Sequence, residues 1–494
     1  MKFDQNHPPS GTVRDWLDHR ADIGGTAIVF PEKGTTLDWS DLRSRARHIA
    51  QHLTQIGVQK CESIAILHPN GQSGVESLYG ALYGGFRATM INLAAGPDAI
   101  GFALKHSGAR YAFVHPTQRD IFEKSAPNEI QAIDDIRKSI VTLHDLTATD
   151  DALLMYTSGT TGTPKGVVHS HASLLAGGWT TALAHALTDT DRGFCVLPIY
   201  HINGLCVTVM GSLVSGGSLA MVAKFSVSKF WPQIDDSAAT WFSVVPTIIS
   251  HLLHADATPT PSVRARLRFG RSASSALAVE TQNAFEDRFS VPIVETMGLT
   301  ETAAQILSNP LPPEIRKIGS PGRAAGCQVE IHDASGQSVL PDTEGEIVVQ
   351  GPNVMRGYLN NPDANAATFR DSWLRTGDLG RKDKDGYIFV TGRLKELIIK
   401  GGENIAPREI DEALYTHPDI VEAAAFARPC TSYGERVEAA VALKPGTKLS
   451  EADLITLVRA RVGDFKCPDI IHFMEELPKG PSGKIQRLKL ADLV

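Results

Sequence analysis

Residues 156–167 read Tyr-Thr-Ser-Gly-Thr-Thr-Gly-Thr-Pro-Lys-Gly-Val and come directly after the apolar run Ala152-Leu153-Leu154-Met155. Glycines let the backbone approach an anion closely, and successive N–H groups and hydroxyls donate hydrogen bonds to its oxygen atoms. Lys165 adds a positive charge. Because a buried strand leads into the loop, we expect it at the carboxyl edge of a sheet, where open α/β folds bind ligands. We interpret it as a phosphate-binding loop.

The loop differs from the common Walker A motif, which requires Gly-x-x-x-x-Gly-Lys-Ser/Thr. Here Pro164 stands five positions after Gly159, and Gly166 follows the lysine. An ordinary kinase or GTPase is therefore disfavoured. A flexible Gly/Ser linker also fits poorly, because Pro164 and the flanking apolar segments favour a fixed loop.

Strands and helices alternate along the chain on both sides of this loop. Ser40 is predicted to cap a helix that ends before Gly57, and residues 64–67 read as a short buried strand. The pattern continues with helices over 73–86 and 97–106 and strands over 89–93 and 111–114. Residues 240–307 repeat this rhythm. The alternation predicts an α/β fold with mainly parallel, helix-covered sheets.

The pattern of predicted strands and helices changes twice in the last third of the chain. Short segments at 329–332 and 345–349 predict a small β-subdomain. The final hundred residues then contain predicted strands near 397–399, 423–427 and 439–443 and a helix capped by Ser450, with Asp453 three residues on. We interpret this last part as a compact α+β module.

Composition excludes several classes of protein. The 494 residues exceed what one hydrophobic core usually serves, so two or more domains are expected. A formal net charge of −7 without a strongly basic run gives no reason to expect a nucleic-acid partner. The six cysteines lack zinc-ligand spacing, and no secretory signal precedes them, which favours free thiols in the cytoplasm.

Residues 202–223 contain no charged side chain and are long enough to suggest a membrane span. Glycines at 204, 211, 216 and 217 interrupt the stretch. We predict a buried helix, a turn and a strand, and no membrane association.

Four further motifs follow the phosphate loop. Together with the loop they resemble the motifs of the adenylate-forming acyl-CoA synthetases, and they occur in the same order along the chain as in that family. They are Met297-Gly298-Leu299-Thr300-Glu301, Arg375-Thr376-Gly377-Asp378, Gly392-Arg393-Leu394-Lys395-Glu396 and Pro478-Lys479-Gly480-Pro481-Ser482-Gly483-Lys484-Ile485. The resemblance implies an N-terminal adenylate-forming domain over 1–391, a hinge at 392–395 and a mobile C-terminal domain over 396–494. It also implies a ligase that uses ATP and Mg²⁺ to convert a carboxylic acid to an acyl-adenylate, and then transfers the acyl group to coenzyme A.

This chemistry needs aligned cations and donors, because the transition state concentrates negative charge on the α-phosphoryl oxygens. By resemblance, Lys484, Thr300 and Glu301 are the catalytic residues, and Glu301 holds Mg²⁺, which prefers oxygen ligands. Taken alone, Thr300 and Glu301 are better explained as an N-cap followed by a carboxylate at a helix start, and it is the other motifs that favour the catalytic interpretation. A lone lysine such as Lys484 is ordinarily a solvated charge, but Pro481 and the glycines around it favour a fixed loop.

The resemblance also assigns the nucleotide-binding residues. Met297 stands where relatives commonly carry an aromatic residue against adenine, and Asp378 would accept from the ribose hydroxyls beside Arg393. A β-turn aspartate that satisfies its own backbone is the alternative for Asp378, which follows a predicted tight turn at Thr376-Gly377. The full set is Thr157, Ser158, Gly159, Thr160, Thr161, Gly162, Lys165, Ser274, Ser275, Ala276, Met297, Asp378 and Arg393.

The resemblance also assigns the residues of the hinge and of the coenzyme A channel. Lys395 occupies the hinge position, from which a rotation would bring the loop Lys400-Gly401-Gly402-Glu403 beside the pantetheine channel. Gly401 and Gly402 permit a close backbone approach. An ordinary linker remains the alternative, since a hinge needs only a few residues.

Stretches around the presumed acid pocket are similar to the oxalyl-CoA synthetase branch, which handles a small, doubly charged acid. Relatives in that branch carry histidine where Gln305 stands, so malonate or sulfoacetate fits as well as oxalate. His201 is also explained as a core histidine, and a short or medium fatty acid or an aromatic acid is the alternative substrate, because Trp179, Phe242 and Met297 would suit an apolar pocket. The candidate pocket residues are His201, Asn203, Trp179, Phe242, Val245 and Gln305.

Soluble coenzyme A is the expected acceptor, because no carrier-protein segment with an attachment serine is evident. An acyl-AMP ligase that loads a carrier protein, a luciferase-like oxygenase and a non-catalytic adenylate-binding regulator are the alternatives. The protein is expected to be a monomer or a homodimer.

Overall fold

The computed structural model describes residues 3–157, 164–480 and 484–494. Its first 324 residues confirm the predicted α/β alternation. The strands of this part are β1 (Thr26–Phe30), β2 (Thr35–Asp38), β3 (Ser63–Leu67), β4 (Arg87–Met90), β5 (Tyr111–Val114), β6 (Gln131–Ala132), β7 (Asp151–Thr157), β8 (Lys165–Ser170), β9 (Arg192–Cys195), β10 (Ser218–Met221), β11 (Trp241–Val244), β12 (Phe269–Ser272), β13 (Ile293–Leu299), β14 (Ala304–Ser308) and β15 (Arg323–Ala324).

Helices pack between and around these strands. They are α1 (Val13–Ile23), α2 (Trp39–Gln55), α3 (Gln72–Gly84), α4 (Pro97–Ser107), α5 (Arg119–Ser125), α6 (His171–Ala184), α7 (Gly211–Ser215), α8 (Phe230–Asp236), α9 (Pro246–Leu253), α10 (Pro261–Arg266) and α11 (Val279–Phe289), with a π-helix over Asn203–Met210 and 3₁₀ turns over Pro116–Gln118 and Thr300–Thr302. The predicted cap at Ser40 is wrong by two residues. Strand β2 runs directly into α2, so Asp38 occupies the N-cap position.

The strands form two sheets. One has the order β15-β14-β13-β12-β11-β9-β10-β1-β2, and its central strands from β13 to β1 are parallel. The other contains the parallel strands β7, β4, β3, β5 and β6, with β8 antiparallel to β7. Every residue of β3 is buried, as expected for a parallel strand covered on both faces.

The uncharged stretch 202–223 forms the π-helix, α7, a turn at Gly216 with φ of +86°, and β10, which confirms the predicted helix, turn and strand. No helix within the described parts of the chain combines the length and the apolar character that a membrane span requires.

The β-subdomain contains β16 (Gln328–His332), β17 (Glu344–Gln350), β18 (Gly357–Tyr358), α12 (Pro362–Thr368), β19 (Phe369–Arg370), β20 (Trp373–Lys382) and β21 (Ile388–Arg393). Five of its strands form a separate antiparallel sheet of order β16-β17-β20-β19, in which β21 also pairs with β20. Strand β18 instead pairs with β8 of the second sheet.

The C-terminal part has its own apolar core and confirms the predicted α+β module. The capping box of Ser450 and Asp453 is present at the start of its longest helix. Its elements are β22 (Ile398–Lys400), β23 (Glu403–Ile405), α13 (Pro407–Tyr415), β24 (Ile420–Cys430), β25 (Gly434–Leu443), α14 (Glu451–Lys466), β26 (Ile470–Phe473) and α15 (Arg487–Leu493).

This part is docked on the larger one. The Arg408 guanidinium donates to the carbonyl of Val390 at 2.7 Å and to that of Gly319 at 3.3 Å. Ser250 Oγ donates to the carbonyl of Val421 at 2.9 Å. These contacts hold the C-terminal part against β21, the loop at Gly319 and helix α9.

Candidate active site

The hairpin of β7 and β8 holds the two ends of the predicted phosphate loop together. Thr157 and Lys165 are register partners at its open end. The predicted contacts Ser158, Gly159, Thr160, Thr161 and Gly162 lie outside the described residues. Lys165 Nζ lies 4.9 Å from the centre of the Tyr358 ring, a cation–π contact that fixes the ammonium group beside the loop.

Tyr358 links Lys165 to Glu301. Its hydroxyl donates to Glu301 Oε1 at 2.8 Å. Partial burial and the neighbouring Glu301 carboxylate raise the pKa of Tyr358, so the hydroxyl keeps its proton and acts as a donor. Sequence reasoning missed Tyr358. The available signal was its aromatic ring in the polar Arg356-Gly357-Tyr358 segment of the β-subdomain.

The turn that carries Thr300 and Glu301 is fixed by its backbone carbonyls. His169 Nε2 donates to the carbonyl of Thr300 at 2.7 Å, and the amide of Met355 donates to that of Glu301 at 2.8 Å. Burial lowers the pKa of His169 to about 4, so the imidazole is neutral at pH 7. Asn353, also missed, donates from Nδ2 to the carbonyl of Thr302 at 2.9 Å.

Glu301 suits the implied Mg²⁺. One carboxylate oxygen accepts from Tyr358, and the hard oxygen donors of a carboxylate are what this ion prefers. No group of three or more His, Cys, Asp or Glu side chains within the described residues is arranged to hold a metal ion. Mg²⁺ is commonly held by one or two carboxylates together with substrate phosphates and water.

Asp378 and Arg393 form an ion pair between adjacent strands. They are register partners on β20 and β21, and Arg393 Nε lies 3.0 Å from Asp378 Oδ1. Burial raises the pKa of Asp378, an effect that Arg393 opposes. The predicted tight turn at Thr376-Gly377 is wrong: Gly377 has φ of +74° but lies inside β20, and the Asp378 carboxylate pairs with Arg393 instead of its own backbone.

Lys484 stands at the end of a loop closed by backbone hydrogen bonds. The amide of Gly480 donates to the carbonyl of Lys484 at 2.7 Å, and residues 481–483 lie outside the described residues. Burial and the nearby Arg393 lower the pKa of Lys484, while Glu396 and Asp378 act to raise it. The C-terminal lysine is therefore electrostatically coupled to the Asp378 and Arg393 pair.

The predicted adenine loop follows β12. Ser274 has φ of +77°, and its Oγ accepts from Asn203 Nδ2 at 3.1 Å. Ser275 is half-buried and Ala276 is exposed. Met297 is half-buried on β13 and packs against the core of the β-subdomain.

Two predicted acid-pocket residues, Asn203 and Gln305, are brought together by an arginine that the sequence reasoning did not select. Arg271 Nη1 donates to Asn203 Oδ1 at 2.8 Å and to Ser243 Oγ at 3.1 Å, and Arg271 Nε donates to Gln305 Oε1 at 3.3 Å. Arg271 is 1% exposed, and burial lowers its pKa to about 9. The one sequence signal was a charged residue inside the strand Phe269-Gly270-Arg271-Ser272.

The other predicted pocket residues lie elsewhere. Phe242 packs in an aromatic cluster with Phe230, at a centroid distance of 5.4 Å, because adjacent residues of β11 point to opposite faces and Ser243 takes the polar side. Val245 belongs to the same cluster. Trp179 Nε1 donates to the carbonyl of Asp4 at 2.7 Å.

His201 and the hinge and channel residues complete the set. The His201 ring centroid lies 5.0 Å from that of Tyr200. Lys395 is exposed two residues after the end of β21. Gly401 and Gly402 form the tip of the β22–β23 hairpin, with φ of +60° and +87°. Positive φ at both central residues is the requirement of a type I′ turn, which explains the glycine pair.

Comparison with known proteins gives a consistent result. Residues 17–359 match the family described as AMP-binding enzyme, and residues 409–484 match the AMP-binding enzyme C-terminal domain. A sulfoacetate–CoA ligase from Cupriavidus necator is 41% identical over 479 residues, which cover 94% of each protein. An oxalate–CoA ligase from Arabidopsis thaliana is 39% identical over 341 residues, 68% of this chain and 66% of that protein.

The fold comparison agrees. The o-succinylbenzoate coenzyme A synthetase from Bacillus subtilis, solved in complex with ATP and magnesium ion, is 28% identical and aligns with a TM-score of 0.85 over 96% of this chain and 98% of that one. The phosphate-loop hairpin and the Glu301 turn thus lie within the first of these matches, and the Asp378–Arg393 pair lies between the two. The chain belongs to the AMP-binding enzyme family and is an ATP-dependent acyl-CoA synthetase.

Proposed function

We propose that this protein joins a short carboxylic acid to coenzyme A in two half-reactions at one site. The acid displaces pyrophosphate from ATP to give an acyl-adenylate, and the coenzyme A thiol then displaces AMP to give the thioester. The observation that carries this proposal is the chain of contacts from Lys165 through Tyr358 to Glu301, together with the Asp378–Arg393 pair on the neighbouring strands β20 and β21. Relatives named as CoA ligases support the acceptor.

The large domain holds the nucleotide in this proposal. Lys165 and the loop after Thr157 bind the phosphates, and Glu301 provides the protein ligand for Mg²⁺. Asp378 accepts hydrogen bonds from the ribose hydroxyls, because it is half-buried and its Arg393 partner occupies only part of its capacity. Ser274, Ser275, Ala276 and Met297 line the adenine side.

Lys484 carries the charge that the first half-reaction needs. The carboxylate and the α-phosphoryl group repel each other, and an ammonium group between them offsets that repulsion in a site of low dielectric. Burial lowers the pKa of Lys484, because it disfavours the charged form of the side chain. Binding of the two anions stabilises that charged form. Thr300 donates to the α-phosphate from the fixed turn.

The second half-reaction requires the C-terminal domain to move. We assign residues 1–391 to the N-terminal domain, 392–395 to the hinge and 396–494 to the mobile domain. Rotation about Lys395 withdraws Lys484 and brings Gly401 and Gly402 to the pantetheine channel. The direct contacts of Arg408 and Ser250 across the interface are polar, which suits a reversible docking.

A panel of carboxylic acids tests this proposal. Purified protein is given ATP, Mg²⁺ and one acid, with and without coenzyme A, and pyrophosphate, AMP and acyl-CoA are measured. The proposal predicts acid-dependent pyrophosphate release, with one acyl-CoA and one AMP formed for each acid consumed when coenzyme A is present. Pyrophosphate release with no thioester would contradict coenzyme A as the acceptor and favour a carrier protein.

A further inference from the structure

Arg271 is the most deeply buried cation around the proposed acid pocket. It lies on β12 with 1% of its surface exposed, and it is the charged member among the largest fully buried side chains of the described residues. Taking a guanidinium group out of water is costly unless an anion and hydrogen bonds compensate it. The groups that offset the positive charge of Arg271 therefore indicate which kind of ligand the site binds.

All of the direct partners of Arg271 are neutral. Its hydrogen bonds to described residues go to Asn203, Ser243 and Gln305, and no described Asp or Glu lies within 4.0 Å of it. These bonds use the Nε hydrogen and the two Nη1 hydrogens. Because a guanidinium group has five N–H donors in a planar fork, the two on Nη2 remain for a ligand.

The same chain satisfies other guanidinium groups differently. Arg487 Nη2 lies 2.6 Å from Asp411 Oδ2, and its Nε lies 3.4 Å from Glu396 Oε2. Arg20 donates to the carbonyls of Leu213 and Val214 at the end of α7, where the helix dipole is negative. Arg271 has neither a carboxylate nor a helix end.

Titratable neighbours do not change this picture. His185 lies close enough to share Gln305, with its Nε2 at 3.1 Å from Gln305 Oε1. Burial and the positive charge of Arg271 keep the pKa of His185 well below its ordinary value, so this ring is neutral at pH 7. It adds no anion to the cluster.

The cluster is joined to the catalytic turn. Asn353 Nδ2 donates both to the carbonyl of Thr302 at 2.9 Å and to that of Gln305 at 3.2 Å. On the other side, Asn203 connects Arg271 to Ser274 of the predicted adenine loop. Arg271 is thus connected through Asn203 to the predicted adenine loop, and through Gln305 and Asn353 to the turn that carries Thr300 and Glu301.

We propose that Arg271 binds a second anionic group of the acid, which makes the substrate a short dianion such as a dicarboxylate or a sulfonated carboxylate. This inference rests on the proposed ligase function and names its substrate class. Asn203, Ser243 and Gln305 orient the guanidinium group without neutralising it, so its full charge is available to the ligand. An acid with an apolar tail would leave that charge unpaired in the pocket.

A matched pair of acids and a matched pair of variants test this assignment. Malonate is compared with its monomethyl ester, which has the same carbon skeleton and one charge fewer, and sulfoacetate is compared with propionate. The variant Arg271→Gln is compared with Arg192→Gln. Arg192 also has neutral partners, Ser218 Oγ at 2.9 Å and the carbonyl of Ser237 at 2.7 Å, but stands at the amino end of β9.

In the wild type, kcat/KM is expected to favour the dianions by about a hundredfold, the range for loss of one buried ion pair. In Arg271→Gln this preference disappears through a rise in KM for the dianions, with kcat/KM for the monoanions unchanged or higher. Arg192→Gln keeps the wild-type preference. An equal loss for both acids in Arg271→Gln, or a wild type that uses monomethyl malonate as well as malonate, would overturn the assignment.

Melting temperatures separate this inference from the proposed function. Millimolar malonate or sulfoacetate is expected to raise the melting temperature of the wild type and of Arg192→Gln, but not that of Arg271→Gln. If that pattern holds while no acid yields acyl-CoA, the anion site is correct and the ligase proposal is wrong. If neither dianion shifts the wild type and acyl-CoA forms from monoanions, the ligase proposal stands and the anion site is wrong.

Discussion

Arg271 and Arg487 show two ways in which one chain holds a guanidinium group away from water. Arg487, with 17% of its side chain exposed, pairs with Asp411 and Glu396 in the C-terminal domain. Arg271 is more deeply buried and has no carboxylate partner in the described residues. Arg271, the more deeply buried of the two, therefore has less of its positive charge offset by carboxylates.

The pKa shifts follow the same division. Although burial acts to lower it, the carboxylates of Asp411 and Glu396 raise the pKa of Arg487. Burial alone lowers the pKa of Arg271 to about 9. Removal of one member of a buried ion pair destabilises the fold, whereas a hydrogen-bonded but unneutralised charge costs stability that is regained when an anion binds. The C-terminal pair serves the fold, and the Arg271 cluster serves a ligand.

Lys484 gives the largest expected effect, because it combines both situations: it is coupled to Asp378 and Glu396 but depends on substrate anions for full compensation. Lys484→Ala is expected to slow acid-dependent pyrophosphate release by about a thousandfold, as for loss of an aligned transition-state contact. Thioester formation from preformed acyl-adenylate should be largely unchanged. Measurement of both half-reactions separates the roles, and equal loss in the two would contradict the assignment of Lys484 to adenylation.

Glu295 is the acidic counterpart of Arg271, because it too is a deeply buried titratable side chain. It is 2% exposed on β13, its Oε1 accepts from the amide of Leu277 at 3.2 Å, and its Oε2 has no hydrogen-bond partner in the described residues. Burial raises its pKa to about 7 from an ordinary 4.5. The folded protein therefore keeps a proton that the unfolded chain has released, and the stability from this group is complete below pH 4.5 and lost as the pH rises through 7.

Glu295→Gln should remove that loss. Relative to the wild type, the variant is expected to gain on the order of 3 kcal/mol of unfolding free energy between pH 4.5 and pH 8. Urea unfolding of both proteins at pH 5 and pH 8 measures the difference, and comparison with the wild type cancels the histidines that titrate in the same range. A variant whose advantage is the same at both pH values would show that Glu295 is ionised in the folded protein.

Arg487→Met tests the arginine whose charge is paired with carboxylates. The change leaves the carboxylates of Asp411 and Glu396 unpaired, which is expected to lower the unfolding free energy by about 3 kcal/mol. Thermal unfolding followed by calorimetry measures it, and the preference between malonate and its monomethyl ester serves as the control, since it should not change. A variant of unchanged stability and altered acid preference would reverse the roles given to the two arginines.

Ser243→Ala gives the smallest effect. It removes one acceptor from Arg271 Nη1 while Asn203 and Gln305 remain, so the guanidinium group is less firmly oriented. We expect kcat/KM for the dianionic acid to fall by about tenfold, the value of one hydrogen bond to a charged group. Monoanionic acids are the control. A loss that is equal for both classes would assign Ser243 to folding and not to acid recognition.

The contrast between these sites also explains what the sequence could predict. Local patterns sufficed for the strand at 111–114 and the Ser450 capping box. The ion pair of Asp378 and Arg393 was within reach because both residues lie in compact motifs on paired strands. Such features depend on residues that are close in the chain or belong to recognisable motifs.

Arg271 could not be found in this way. Its partners at 203, 243 and 305 come from a π-helix and two other strands, and only the order of strands in the sheet brings them together. The same reason explains Phe242, whose side of β11 is set by sheet packing and not by its neighbours in sequence. Tyr358 reaches Glu301 because β18, which lies between β17 and β19 in sequence, pairs with β8 of the second sheet.

The melting temperature of ligand-free Arg271→Gln tests the central claim most directly. If the guanidinium group is an uncompensated charge kept for a substrate anion, its removal should leave the melting temperature equal to or above that of the wild type. If Arg271 is a structural residue like Arg487, the variant should melt several degrees lower, and that result would contradict the account.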